Sequence, residues 1–260
     1  MLPMGCNERD AGTEQLRALV AQSCQLLARR GLVEGILGHV SARLPGTDQI
    51  LIRARGPAER GLLRTEPADI RLMTMDGALS TADREAGWRV PNEYPIHTAV
   101  YQARPEVKAV VHAHPRAALL CGLAGLTPRP VIGAYNIPAL HLARAGIPVY
   151  PRAVLITRPQ LAAEMLAAMG SSDVCILRGH GVTVAGPGVP AATLRALDLE
   201  MLCQLTLDLA RLGASPPEVP PADLAELPDL GGQFNVQLTW NALAGDLTPV
   251  TPAYPGTAPS

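Results

Sequence analysis

The chain has 260 residues, 48 % of them hydrophobic and 17 % charged, which is enough apolar mass for one sizeable core and too much for a disordered chain. Its 22 basic and 23 acidic residues leave a net charge of -1, so neither nucleic acid nor a membrane is expected as a partner. Lys108 is the single lysine, which leaves almost no candidate for Schiff-base chemistry. Five cysteines, odd in number and never in a CxxC pair, argue against a disulfide framework and a thiolate zinc site. No apolar signal core opens the chain and no uncharged apolar stretch reaches 18 residues, so a soluble cytoplasmic protein is expected.

Along the chain, Leu16, Leu19, Val20, Cys24 and Leu27 lie on one helical stripe within 13–30, and Arg29-Arg30-Gly31 suits its C-terminus. Strands are predicted at 49–52 and 70–75, the second turning at Asp76-Gly77. A helix over Glu93–Ala103 precedes a β-branched strand over Val107–His112. Then come a helix at Arg116–Ala124, a strand at Val131–Ile132, a helix at Gln160–Met169, a strand at Asp173–Leu177 and a long helix at Ala191–Leu212 closed by Gly213. Hairpins mixed with helices point to an α/β sandwich with a largely antiparallel sheet. Residues 1–11 read as a flexible start, 12–213 as one domain and 214–260, with nine prolines, as a C-terminal arm. Within that arm, 214–230 is expected to be extended and 231–246 to form a short element, where Trp240 docks on the domain or, with Gln233 and Phe234, covers a neighbour's site.

Three histidines stand where a metal ion would want them. In Val110-Val111-His112-Ala113-His114-Pro115, the strand period of 2 puts both imidazoles on one face, close enough for one ion. His180, in Leu177-Arg178-Gly179-His180-Gly181-Val182, ends another apolar run between glycines that permit a sharp turn. Three neutral imidazoles leave open positions, as a catalytic metal requires, and they suit Zn, Mn, Fe, Co or Ni. Glu93 opens a helix, where an acidic residue is also an ordinary choice.

Gly38-His39-Val40-Ser41-Ala42-Arg43, Glu93-Tyr94-Pro95-Ile96-His97, His112-Ala113-His114-Pro115 and Gly179-His180-Gly181 occur in the order and spacing of the class II aldolase/adducin family. By these motifs the chain is identified as a member of that family over about residues 12–213. The resemblance implies a single three-layer α/β domain with a mainly antiparallel central sheet flanked by helices, and a cyclic homotetramer with sites at subunit clefts. It implies a divalent metal ion on His112, His114 and His180, with Glu93 as the acid/base. Tyr135 lies near the region where the family's aldolases supply a tyrosine from the neighbouring subunit. His97, one turn after Glu93, reads as a packing or supporting residue, and His141, after a proline, as a peripheral loop residue.

Three segments that cradle phosphate in the family's aldolases are altered here. Gly-Asn has become Gly38-His39, a Thr-Pro-Ser-Gly type turn has become Arg53-Ala54-Arg55-Gly56, and Ser-Ser has become Pro91-Asn92. A guanidinium fork matches a carboxylate. His39, Arg53, Arg55, Gly56 and Asn92 are therefore expected to touch substrate; the bland alternatives are a core or N-cap role for His39 and solvated strand-end arginines. These changes resemble the family's metal-dependent decarboxylases of hydroxylated aromatic dicarboxylates and related oxo acids. The leading reading is a carbon–carbon lyase acting as a decarboxylase on a small carboxylate substrate, with Glu93, at a raised pKa, as proton donor. An aldolase of a hydroxy-ketone, a non-haem Fe(II) oxygenase and a non-catalytic adducin-like interaction module stay open beside it.

Overall fold

A computed structural model describes residues 6–230, 233–245 and 247, with the backbone alone for 6–10, 233 and 234. The chain runs α1 (Cys6–Arg29), β1 (His39–Arg43), β2 (Gln49–Arg53), two short 3-10 turns, β3 (Ile70–Thr74), α2 (Thr81–Glu85), α3 (Tyr94–Ala103) and β4 (Ala109–Ala113). It continues through α4 (Arg116–Ala124), α5 (Ile137–Arg144), β5 (Val149–Tyr150), α6 (Pro159–Met169), β6 (Val174–Leu177), β7 (Gly181–Gly186) and α7 (Val189–Arg211). The last elements are α8 (Pro221–Glu226) and α9 (Gln233–Gly245).

One seven-stranded sheet has the order β3-β2-β1-β4-β7-β6-β5 and is antiparallel except where β5 lies beside β6. Strand alternation sorts its side chains onto two cores. Val40, Leu51, Val111 and Val184 pack with α1, α4, α5 and α7, whereas Ile52, Val110, Leu177 and Ala185 pack with α3 and α6. The molecule is thus a three-layer α/β sandwich. Cys24, Cys121, Cys175 and Cys203 are buried and free, as a chain without a disulfide framework requires. No helix among the described residues is long and apolar enough to cross a membrane.

Several boundaries differ from the sequence expectation. Helix α1 already begins at Cys6, within the segment expected to be flexible. Val131–Ile132 forms no strand: the Val131 amide bonds to the Arg129 carbonyl, and Pro130 accepts from Val219 of the arm instead of joining the sheet. β-branched residues alone do not make a strand when no sheet edge is within reach. His141 sits on α5, not in a loop, because Asn136 caps the helix by accepting from the Ala139 amide and Pro138 is tolerated in its first turn. The arm is not wholly extended, since α8 interrupts it. Trp240 of α9 is buried against the domain, so it docks.

Candidate metal centre

The site forms at one end of the central strands, on the side of the sheet that faces α3. Strand β1 pairs with β4 so that His39 lies opposite His112, and β4 pairs with β7. Gly38, at φ +81°, lets the chain enter β1 directly over the β4 end: a Cβ there would lie 2.9 Å from the His112 carbonyl oxygen. Gly181 performs the same service on the other flank, where a Cβ would lie 2.2 Å from the Ala113 carbonyl oxygen. These close approaches bring His112, His114 and the β6–β7 turn bearing His180 together. Glu93, at the N-cap of α3, enters from above the sheet.

Glu93, His112, His114 and His180 each offer one ligand atom, and the four atoms lie within 4.8 Å of one another. The Nε2 atoms of His112 and His114 are 3.0 Å apart. Glu93 Oε2 lies 3.5 Å from His112 Nε2 and 3.3 Å from His180 Nε2. His112 Nδ1 lies 3.0 Å from the Val182 carbonyl oxygen, which can only accept, so Nδ1 carries the ring proton and Nε2 presents a lone pair. Both ring nitrogens of His180 are buried without a hydrogen-bond partner. Lone pairs and a carboxylate converging in this way repel one another unless a cation lies between them. The three separations of 3.0, 3.3 and 3.5 Å are close to the edge, about 3.3 Å, of a tetrahedron with zinc–nitrogen bonds of 2.0–2.1 Å, so the donor set is one that can hold a divalent ion.

Electrostatics agree with that chemistry. Burial lowers the His114 pKa to about 3, helped by His112 and His180, and it lowers His112 as well. The imidazoles of His112 and His114 are therefore neutral, the ligand form. Burial by itself would raise the Glu93 carboxyl, but whenever the rings of His112 and His180 carry protons, their hydrogen bonds and charge outweigh it and hold the group well below the usual carboxylate range. The raised pKa expected of Glu93 is thus corrected: its surroundings favour the ionised carboxylate. Its other oxygen, Oε1, accepts from the Ile156 amide at 2.7 Å, which fixes the rotamer.

The remaining expected residues divide. His39 is buried, with Nδ1 2.6 Å from His97 Nε2, and so stands behind His112 as a core histidine. Arg53 is buried and committed to Glu59, which also accepts from the Gly61 amide at 2.7 Å; it shapes the 54–61 loop. Arg55 is half-buried and its backbone forms a bridge with Arg89. Gly56 has a packing reason, because a Cβ there would come within 2.6 Å of the Trp88 ring. Asn92 is exposed beside buried Pro91. Tyr135 is 81 % exposed at the mouth of a cleft between α5 and α7, outside the histidine cluster of its own chain. Sequence reasoning missed four supports: the side chains of Ser41 and Tyr101 behind His97, and two backbone groups, the Val182 carbonyl and the Ile156 amide. Backbone groups leave no signal in side-chain identity.

Residues 18–207 match the family described as Class II Aldolase and Adducin N-terminal domain. The chain belongs to this family. It is 49 % identical over 225 residues, 86 % of its own length and 90 % of the relative's, to a 3,4-dihydroxyphthalate decarboxylase of Arthrobacter keyseri. A second protein of that name, from Terrabacter sp., is 48 % identical and spans 86 % of this chain and 93 % of the relative. Among solved structures, an L-fuculose 1-phosphate aldolase from Glaciozyma antarctica superposes with a TM-score of 0.74 at 18 % identity, covering 94 % of each chain. That likeness speaks for the fold alone.

Proposed function

We propose that this family member is a metal-dependent carbon–carbon lyase that decarboxylates a hydroxylated aromatic dicarboxylate, with 3,4-dihydroxyphthalate as the first candidate. The observation that carries the reading is the convergence of His112, His114, His180 and Glu93 on one point in a chain 48 % and 49 % identical to two proteins named as decarboxylases of that substrate.

His112, His114 and His180 hold the ion, with Glu93 Oε2 facing it; zinc, manganese, iron and cobalt all suit this donor set. A divalent ion bound there supplies Lewis acidity that stabilises the negative charge left on the substrate as carbon dioxide departs. Glu93 starts ionised, so it takes the proton of a substrate hydroxyl group and then returns it to the ring carbon that has lost carbon dioxide. The Ile156 amide keeps Oε1 in place through both transfers. Arg55 is the better choice for the retained carboxylate, because Arg53 is already neutralised by Glu59.

The reading extends to a cytoplasmic homotetramer in which Tyr135 of one copy reaches the cluster of the next. Tyr135, Leu123 and Leu155 are all more than half exposed, which supports an assembled state. The test is carbon dioxide release from 3,4-dihydroxyphthalate by protein loaded with Zn, Mn, Fe or Co, with His114→Ala as control. Metal-dependent release that vanishes in the variant is expected. Silence from a metal-loaded protein would overturn the decarboxylase reading in favour of aldol cleavage.

A further inference from the structure

A buried polar chain behind His112 has no part in the steps above. His39 is the cross-strand partner of His112, and their rings lie 4.9 Å apart with planes inclined at 34°. His39 Nδ1 is 2.6 Å from His97 Nε2, His97 Nδ1 is 2.6 Å from Ser41 Oγ, and Ser41 Oγ is 2.8 Å from Tyr101 Oη. All four residues are buried, in a region where apolar side chains would pack without needing partners.

The order of protons follows from the closed end. A buried phenol proton with no acceptor is costly, and Ser41 is the hydroxyl partner of Tyr101, so Tyr101 donates to Ser41. Ser41 then donates to His97 Nδ1. The single proton of neutral His97 sits on Nε2 and is donated to His39 Nδ1. Each ring is fixed in tautomer and in rotation, and His39 lies as a set plane against His112. Tyr101 is anchored in turn by Arg43, whose guanidinium lies 4.9 Å from the ring centre and bonds to the Tyr101 carbonyl. Glu93 and His97 are one turn apart on α3, so one helix end delivers both the carboxylate in front of the ligands and the ring behind them.

We propose that His97 is a positioning residue for the metal centre: through His39, the chain Tyr101–Ser41–His97–His39 holds the His112 ring where its Nε2 can bind the ion. The inference rests on the metal-centre reading and goes beyond it.

Two substitutions at one position separate the links. The amide of glutamine can occupy the place of His97 Nε2 and keep the bond to His39, whereas that of asparagine matches Nδ1, keeps Ser41 and releases His39. Co(II) is the probe, read by chelator competition for affinity and by its visible spectrum for ligand geometry. His97→Gln is expected to stay within about 3-fold of wild-type affinity with an unchanged spectrum, and His97→Asn to lose about 10- to 100-fold with an altered one. Should His97→Asn fail to fold, Ser41→Ala, which keeps every ring but removes the donor that fixes the His97 tautomer (a need the glutamine amide does not have), is expected to weaken Co(II) in the same direction. Wild-type affinity and spectrum in a folded His97→Asn or Ser41→Ala protein would overturn the inference. Carbon dioxide release from the same samples separates the two readings: wild-type protein that binds Co(II) and releases none loses the proposed reaction but not the positioning role.

Discussion

At the N-cap of α3, the Glu93 carboxylate divides its work between two oxygens, one held by the Ile156 amide and one turned to His112 and His180. Glu93→Gln keeps an oxygen for the amide and removes the charge and the proton-accepting site. Its kcat is expected to fall by about 100- to 10,000-fold with little change in melting temperature, measured by carbon dioxide release and calorimetry. Asp198 offers a residue-scale test that is independent of the metal. Burial raises its pKa, and the hydrogen bond from Asn136 only partly offsets this. The native state therefore keeps a proton that the unfolded chain gives up near the ordinary aspartate value. The sign follows: stability is fullest below that value and is lost as pH rises through the raised native one. Asp198→Asn still accepts from Asn136 and carries no charge. It is expected to melt higher than wild type at pH 7 and to show a shallower decline between pH 4 and 7 in a series of melts. Glu200, whose carboxyl burial also raises, keeps the rest of the slope in place.

Individual elements show which features of the fold are legible in a sequence. Helices α1, α4, α6 and α7 and the strands β2, β3, β4 and β6 carry their periodicity openly, and HxH at the end of β4 marks the site. Strand β1 is harder to read, because His39-Val40-Ser41-Ala42-Arg43 lacks an apolar run: His39 and Ser41 face α3 as a polar pair satisfied by His97. Strand β7 hides behind glycines that look like turns, yet Gly181 is demanded by a neighbouring backbone and not by a bend. A pairing partner distant in sequence decides both cases, and local pattern cannot report it. The glycines yield a paired prediction. Gly181→Ala drives a methyl group into the Ala113 carbonyl between two ligand-bearing segments, which costs roughly 1–3 kcal/mol as overpacking and weakens Co(II) binding. Gly12, on exposed helical backbone in α1 with nothing within 4 Å of a Cβ, behaves oppositely. Gly12→Ala is expected to gain about 0.5–1 kcal/mol and to leave the metal unaffected. Urea titration of the two variants checks both signs.

Across the described residues, the histidine cluster and α9 occupy opposite layers. The cluster faces α3, whereas α9 rests on α7 and α1 through Trp240, which is 3 % exposed. Between these layers lies the sheet, and the arm preceding α8 is tied down separately: the Val219 amide bonds to the Pro130 carbonyl at 2.9 Å and Arg129 pairs with Glu218 at 3.2 Å. Two independent attachments predict that α9 can leave without the arm or the site following. Replacing a core tryptophan by alanine costs roughly 3–5 kcal/mol, more than a peripheral helix of 13 residues anchored at Trp240 can retain. In Trp240→Ala the amides of α9 are therefore expected to exchange with solvent at nearly unprotected rates. The amides of β4 and β7, in the central sheet, keep wild-type protection, and Co(II) affinity stays unchanged. Hydrogen exchange followed by mass spectrometry reads both at once. Loss of protection spreading into β4, or a fall in Co(II) affinity, would instead make α9 part of the support of the metal centre, transmitted through α7 and the sheet.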